Sequence, residues 1–169
     1  MTSLRLTVQQ LLDRFEIIEL FNRYTYHHDV LAPRFATGDA DGTEFDVFDE
    51  IFTADAVLDF SASGGIRAEV GTMKEWLASA YANFPVQHHL MGQTELTFTV
   101  DANEAHARTW IMNPMGFRRA DGTIEMFTTG GFYVDHLVRT AVGWRIQDRT
   151  YDQQWLIGDM PSELALPPG

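Results

Sequence analysis

HHLMGQTELTFTV (88–100), EAHARTWIMNPMGFR (104–118), IEMFTTGGFYVDHLV (124–138) and GWRIQDRTYDQQW (143–155) follow one another with little between them. The breaks are Asp101-Ala102-Asn103, Ala120-Asp121-Gly122 and a turn ending at Gly143. Such breaks join neighbouring strands by tight turns, so the second half of the chain reads as a four-stranded antiparallel meander. Gly130-Gly131 falls inside the third of these strands. It predicts a bulge or a close backbone approach by a helix, and either favours a cupped sheet.

The first half has another texture. Thr7 and Gln10 form a capping box, and Leu11, Phe15, Ile18, Asn22, Thr25 and Asp29 then recur at the spacing of one helical face. This predicts a first helix ending near Asp29. LAPRFATGDADGT (31–43) reads as a loop in a position to act as a lid, followed by a short helix over 44–53. AVLDFS (56–61) alternates like a strand and Gly64-Gly65 is a turn. Thr72-Met73-Lys74-Glu75 reads as a second capping box, opening a helix to about Phe84. Helices first and a meander second imply an α+β fold, helices packed on one face of a curved sheet. The 169 residues make one domain, 1–169, with a tail over 160–169.

Composition removes several classes of function. The formal net charge of −12, with Lys74 the single lysine, opposes binding to nucleic acid or to an anionic membrane surface. There is no cysteine, which excludes disulfides, thiolate catalysis and cysteine-ligated metals. No apolar run approaches the ~20 residues that span a bilayer, and the start lacks the design of a secretory signal, so a cytoplasmic protein is expected. Neither glycine pair matches a phosphate-binding loop and no GxSxG elbow is present, so no nucleotide cofactor and no serine nucleophile are implied.

Asp29 is the most informative position. It lies 11 residues after Ile18, which returns it to within about 20° of the same helical face. A carboxylate turned to the core needs a partner such as a histidine, an arginine or backbone N–H groups. Tyr24, seven residues after Ile17, sits on the neighbouring part of that face as a candidate cavity donor. His88 and His89 point to opposite faces of their strand, and parity alone does not choose between them. The pairs His27-His28-Asp29 and His88-His89 raise a metal site, but no HxH or HExxH spacing supports one, and no metal is expected.

The order of ELFNRYTYHHD (19–29), HHLMGQTELTF, EAHARTWIMN, TTGGFYVDHLVR and GWRIQDRTYDQQW resembles the SnoaL-like dehydratases and isomerases of the nuclear-transport-factor-2-like superfamily. Bile-acid 7α-dehydratase, hexachlorocyclohexane dehydrochlorinase and scytalone dehydratase are the members most in point. The resemblance covers about residues 10–155 and implies a cone-shaped, cystatin-like α+β barrel around an apolar cavity. It further implies a His-Asp dyad, and counting from the shared segments puts the aspartate on Asp29 and the histidine on His89 rather than His88. Tyr24 stands where the bile-acid enzyme has tyrosine and the dehydrochlorinase lysine, and Arg149 matches the dehydrochlorinase's active-site arginine. The second histidine of scytalone dehydratase falls on Met115, and its serine and asparagine on Gly131 and Tyr133, so its particular reaction is not implied.

The expectation is thus cofactor-independent acid/base catalysis, dehydration or proton shift, on an apolar and cyclic small molecule. Asp29, His89 and Tyr24 would be catalytic. Arg149, His28, Phe60, Trp110, Met112 and Phe132 would bind substrate, with Trp76, Met91 and Phe117 adding to an apolar wall. A homo-oligomer, dimer or trimer, is expected because the outer face of a curved sheet commonly needs a partner. Two rivals remain open: a non-catalytic ligand-binding module or structural subunit resembling the small subunit of aromatic-ring dioxygenases, and a metalloenzyme.

Overall fold

The computed structural model describes residues 6–40 and 43–161. Helix α1 runs over Val8–Thr37, opened by the Thr7 capping box: Thr7 accepts from the Gln10 N–H and Gln10 accepts from the Thr7 N–H. It does not end at Asp29. Burial of Leu31 and Ala32 carries the helix on through Pro33, whose missing N–H would otherwise bond the Asp29 carbonyl. Gly38, at φ 79°, stops it with bonds from Gly38 N–H to Phe35 and Asp39 N–H to Arg34. The expected loop over 31–43 is therefore helix for more than half its length. Its last part includes residues 41–42, outside the described ones.

The helical face is also shifted from expectation. Leu11, Phe15 and Asn22 are exposed, whereas Asp13, Ile17, Leu20, Phe21, Tyr24, His28 and Leu31 are buried. The stripe beginning at Ile17, which holds Tyr24, is the inward one. Asp29 flanks it. The physical anchor is polar: buried Asp13 accepts from Arg139 at 2.5 Å and from the Trp144 indole at 3.3 Å, while Glu16 accepts the Trp144 N–H at 2.8 Å. These bonds pin the rotation of α1 against the sheet, a contact that no helix-only periodicity contains.

A 3₁₀ turn, Glu44–Val47, leads into the single-turn α2, Phe48–Ile51, and the chain then extends as β1, Phe52–Asp59. The expected helix over 44–53 is thus shorter and the strand at 56–61 begins earlier. After a second 3₁₀ turn, Ser61–Ser63, and β2, Arg67–Glu69, helix α3 covers Val70–Tyr81. Glu69 is its N-cap and makes no side-chain capping bond, so the Thr72 box does not open it. Then come β3, Val86–Gln87, β4, Leu90–Phe98, β5, Glu104–Arg118, β6, Ile124–Thr140, and β7, Gly143–Ile157.

The seven strands form one sheet in the order β2-β1-β7-β6-β5-β3, with β4 also on β5. All pairings are antiparallel except β1 with β7. The meander expected from 88–155 is β4 to β7; β2 and β3 are too short to register as patterns. The sheet is curved and open, with the helices on its concave face, an α+β cone of the cystatin-like kind. Register slips between Gly130 and Gly131, confirming a bulge. A Cβ on Gly131 would stand 2.1 Å from the Asp152 carbonyl oxygen, so the close approach comes from β7 rather than from a helix.

Candidate active site

α1 and β5 to β7 meet around one principal apolar core of α1, β1 and sheet residues, with Phe84, Phe117 and Phe127 forming a smaller cluster beyond it. Between the two lies a cavity of about 100 Å³. That is room for roughly seven to ten water-sized groups. Its walls include Phe60, Trp76, Leu77, Phe84, Met115 and Phe127, and its polar members include Tyr24, His28, His89, Asn113, Thr129 and Tyr151. Among the described residues no Lys, Arg, Asp or Glu lines it.

His89 sits between β3 and β4 with its side chain 7% exposed, whereas His88 is 66% exposed. The chain turns one histidine in and one out, as strand geometry requires. His89 Nδ1 donates to Asp29 Oδ1 at 2.6 Å, and the His89 backbone N–H donates to Oδ2 of the same carboxylate at 3.0 Å. Both oxygens are thus used to hold one residue. The tautomer this selects leaves Nε2 as the acceptor, and His89 lines the cavity.

His28, one residue before Asp29, is buried and lies 5.2 Å from His89 between ring centroids. The Tyr81 hydroxyl donates to its Nδ1, while its Nε2 makes no hydrogen bond among the described residues. Burial, helped by His89 and Arg149, pushes the His28 pKa well below its ordinary 6.5. It is a neutral ring. Tyr24 packs on His28 at 4.2 Å and edge-on to Tyr133 at 5.9 Å. Burial pushes its phenol up to about 12, against the pull of Arg149, so it stays a protonated donor.

The other expected binding residues divide. Phe60 and Trp76 line the cavity; Met91 does not. Trp110, Met112 and Phe132 stand on the convex face: Trp110 is 48% and Met112 38% exposed, and Trp110 stacks on its cross-strand partner Phe132 at 4.0 Å. Arg108 lies over the Phe132 ring at 3.3 Å. The sign of this error was readable, since Trp110 and Met112 share strand parity with charged Arg108, and Ala105, Ala107 and Ile111 occupy the buried face.

Arg149 is corrected more sharply. It is buried, and two of its guanidinium nitrogens are held by Asp135, its cross-strand neighbour, through Nε to Oδ1 at 2.6 Å and Nη2 to Oδ2 at 3.0 Å, while Nη1 makes no hydrogen bond among the described residues. Tyr24 and Tyr133 cover it at 4.3 and 4.4 Å. Burial opposes its charge, yet Asp135 raises its pKa further above the ordinary arginine value. It forms an ion pair beneath Tyr24 and Tyr133, which line the cavity, and does not itself line it. Missed by sequence reasoning were Tyr81, Asn113, Thr129, Tyr133 and Tyr151, all of which line the cavity. For the four on strands the signal is parity with Ile111 on β5 and the pairing of β6 and β7, which a single strand does not reveal; Tyr81 comes from the last turn of α3.

No group of three or more His, Asp or Glu side chains among the described residues is placed to hold a metal ion. Among the described residues no helix is long and apolar enough to cross a membrane.

Known proteins extend this picture. The uncharacterized protein Rv2910c of Mycobacterium tuberculosis is 35% identical over 141 residues, 83% of this chain and 85% of its own length. The crystal structure of Kfla4162 from Kribbella flavida superposes with a TM-score of 0.72 at 23% identity, covering 92% of this chain and 97% of that one. A hexachlorocyclohexane dehydrochlorinase, LinA, gives 0.69 at 13% identity, covering 94% and 95%. The two solved structures share the overall fold of this chain. Residues 9–150, from the first turn of α1 to the heart of β7, match the SnoaL-like domain, and the chain belongs to that family within the nuclear-transport-factor-2-like superfamily.

Proposed function

We propose that this protein is a cofactor-independent lyase or isomerase acting on a small, uncharged ring compound of the hydroxy-ketone type. One observation carries the reading: Asp29 grips both the ring and the backbone of His89, a residue that lines an apolar cavity, and so leaves Nε2 as the ring nitrogen available for a substrate. His89 removes a proton next to the substrate carbonyl, and Asp29 stabilises the imidazolium that forms. Tyr24, held protonated, donates to the enolate oxygen. In dehydration, the proton on His89 then joins the departing β-hydroxyl, and an enone and water result. In isomerisation it returns to another carbon. No lysine or arginine among the described residues lines the cavity, which argues against an anionic substrate buried without a partner. The cavity size suits about ten heavy atoms, one ring or a fused pair.

The dehydrochlorinase of the same fold supports elimination chemistry in general, and Tyr24 in place of that enzyme's lysine supports a hydroxyl rather than a halide as leaving group. A purely structural subunit would be better served by a filled interior than by a cavity holding two histidines. A cytoplasmic dimer or trimer completes the reading, because Trp110, Met112, Met126 and Val134 leave an exposed apolar convex face that a second copy would cover.

The test is turnover of cyclic β-hydroxy ketones by wild type, His89→Gln and Asp29→Asn. A loss of about 10²- to 10⁴-fold in kcat is expected for His89→Gln, with a smaller loss for Asp29→Asn. Equal rates in all three proteins overturn the dyad.

A further inference from the structure

Three buried polar groups beside His89 have no use in the reaction described so far. Asn113 is 5% exposed, Thr129 0% and Tyr151 3%, and all three line the cavity. Asn113 Oδ1, Thr129 Oγ1 and the Tyr151 hydroxyl make no hydrogen bond among the described residues. Buried polar atoms in folded proteins are almost always satisfied, because each orphan forfeits its hydration without return. Three on one wall of one cavity mark a place where a ligand completes the bonding.

The sheet explains how they meet. Gln87 pairs with Met115 and Leu90 with Met112, and the His88 N–H donates to the Pro114 carbonyl between them, so His89 comes level with Asn113. Asn113 is in turn the direct partner of Thr129. His89, Asn113 and Thr129 therefore form one rung across the concave face, where neighbouring Cβ atoms lie about 5 Å apart. Tyr151 adds a phenol from β7, beyond the Gly130-Gly131 bulge. Burial raises its pKa and keeps it protonated.

We propose that Asn113, Thr129 and Tyr151 form a hydroxyl-binding subsite next to His89, which takes an alcohol or phenol O–H of the substrate. The amide oxygen accepts, the two hydroxyls donate, and an O–H group is the neutral function that answers both at once. A carboxylate or phosphate would lie there without a cation, and an ammonium without a carboxylate. The placement of the hydroxyl near the reacting carbon rests on the dyad reading; the binding itself does not.

The experiment compares 1-tetralone with 4-hydroxy-1-tetralone by titration calorimetry on wild type, His89→Gln, Asn113→Leu, Thr129→Val and Tyr151→Phe. Wild type is expected to bind the hydroxylated ketone about tenfold more tightly. Each subsite variant shrinks that preference to about threefold or less while leaving 1-tetralone affinity unchanged. His89→Gln keeps the preference and loses turnover of β-hydroxy ketones. The variants should melt no lower than wild type, since each removes an unpaired buried group; should one fail to fold, the other two decide. Equal binding of the two ketones to wild type, or an undiminished preference in the folded variants, overturns the subsite. Turnover retained by His89→Gln with the preference intact overturns the dyad and leaves the subsite standing.

Discussion

Replacing His28 and Tyr81 together by phenylalanine should flatten the acid side of the stability profile. His28 is buried, its Nδ1 bonded to the Tyr81 hydroxyl and its Nε2 without a partner, and burial holds its pKa well below 6.5. In the unfolded chain the same ring titrates near its ordinary value. Between the two, the unfolded state carries the extra proton, so stability is full above about pH 6.5 and is lost as pH falls toward the folded pKa. One proton is worth about 1.4 kcal/mol per pH unit, hence up to about 2 kcal/mol between pH 6.5 and 5. The double variant removes both hydrogen-bonding partners while keeping two rings in place, so it loses the titration without leaving an orphan. His27, lowered mainly by its own burial, is present in both proteins and cancels in the difference. Urea unfolding at half-unit steps from pH 7.5 to 5 measures the effect. Parallel curves for wild type and variant would refute the assignment of His28 as a buried neutral ring.

Asp135→Asn strands a guanidinium 1% exposed and should cost about 3–5 kcal/mol in chemical denaturation, whereas replacing Asp135 and Arg149 together by apolar residues should cost much less. Gly131→Ala should destabilise by about 1–3 kcal/mol, because the new methyl meets the Asp152 backbone. Gly130→Ala meets the Trp155 ring, which can swing away, and should cost less in the same melts. Trp110→Ser and Met112→Ser alter the exposed convex face and should shift sedimentation toward smaller species with kcat unchanged; loss of activity without a change in size would count against that placement.

The strands 88–155 were legible because turn residues and alternation are local properties, and a chain that reverses at short breaks has little choice but to pair with itself. The Thr7 cap and the Gly130-Gly131 bulge were legible for the same reason. The end of α1 was not, since Leu31 and Ala32 are kept helical by what they pack against, in spite of Pro33. Nor was the convex position of Trp110 and Phe132, where two large rings satisfy each other outside the core.

From the sequence alone came the α+β order, the unsuitability of the chain for nucleic acid, and the short list of Asp29, His88 and His89. The family resemblance narrowed the histidine to His89. Tertiary structure decided the rest. Asp13 and Glu16 set the rotation of α1, the pairing of β5 with β6 brought Asn113 and Thr129 onto one rung, and Asp135 claimed Arg149. Each depends on contacts between residues far apart in the chain, whose geometry exists only once the sheet has curved.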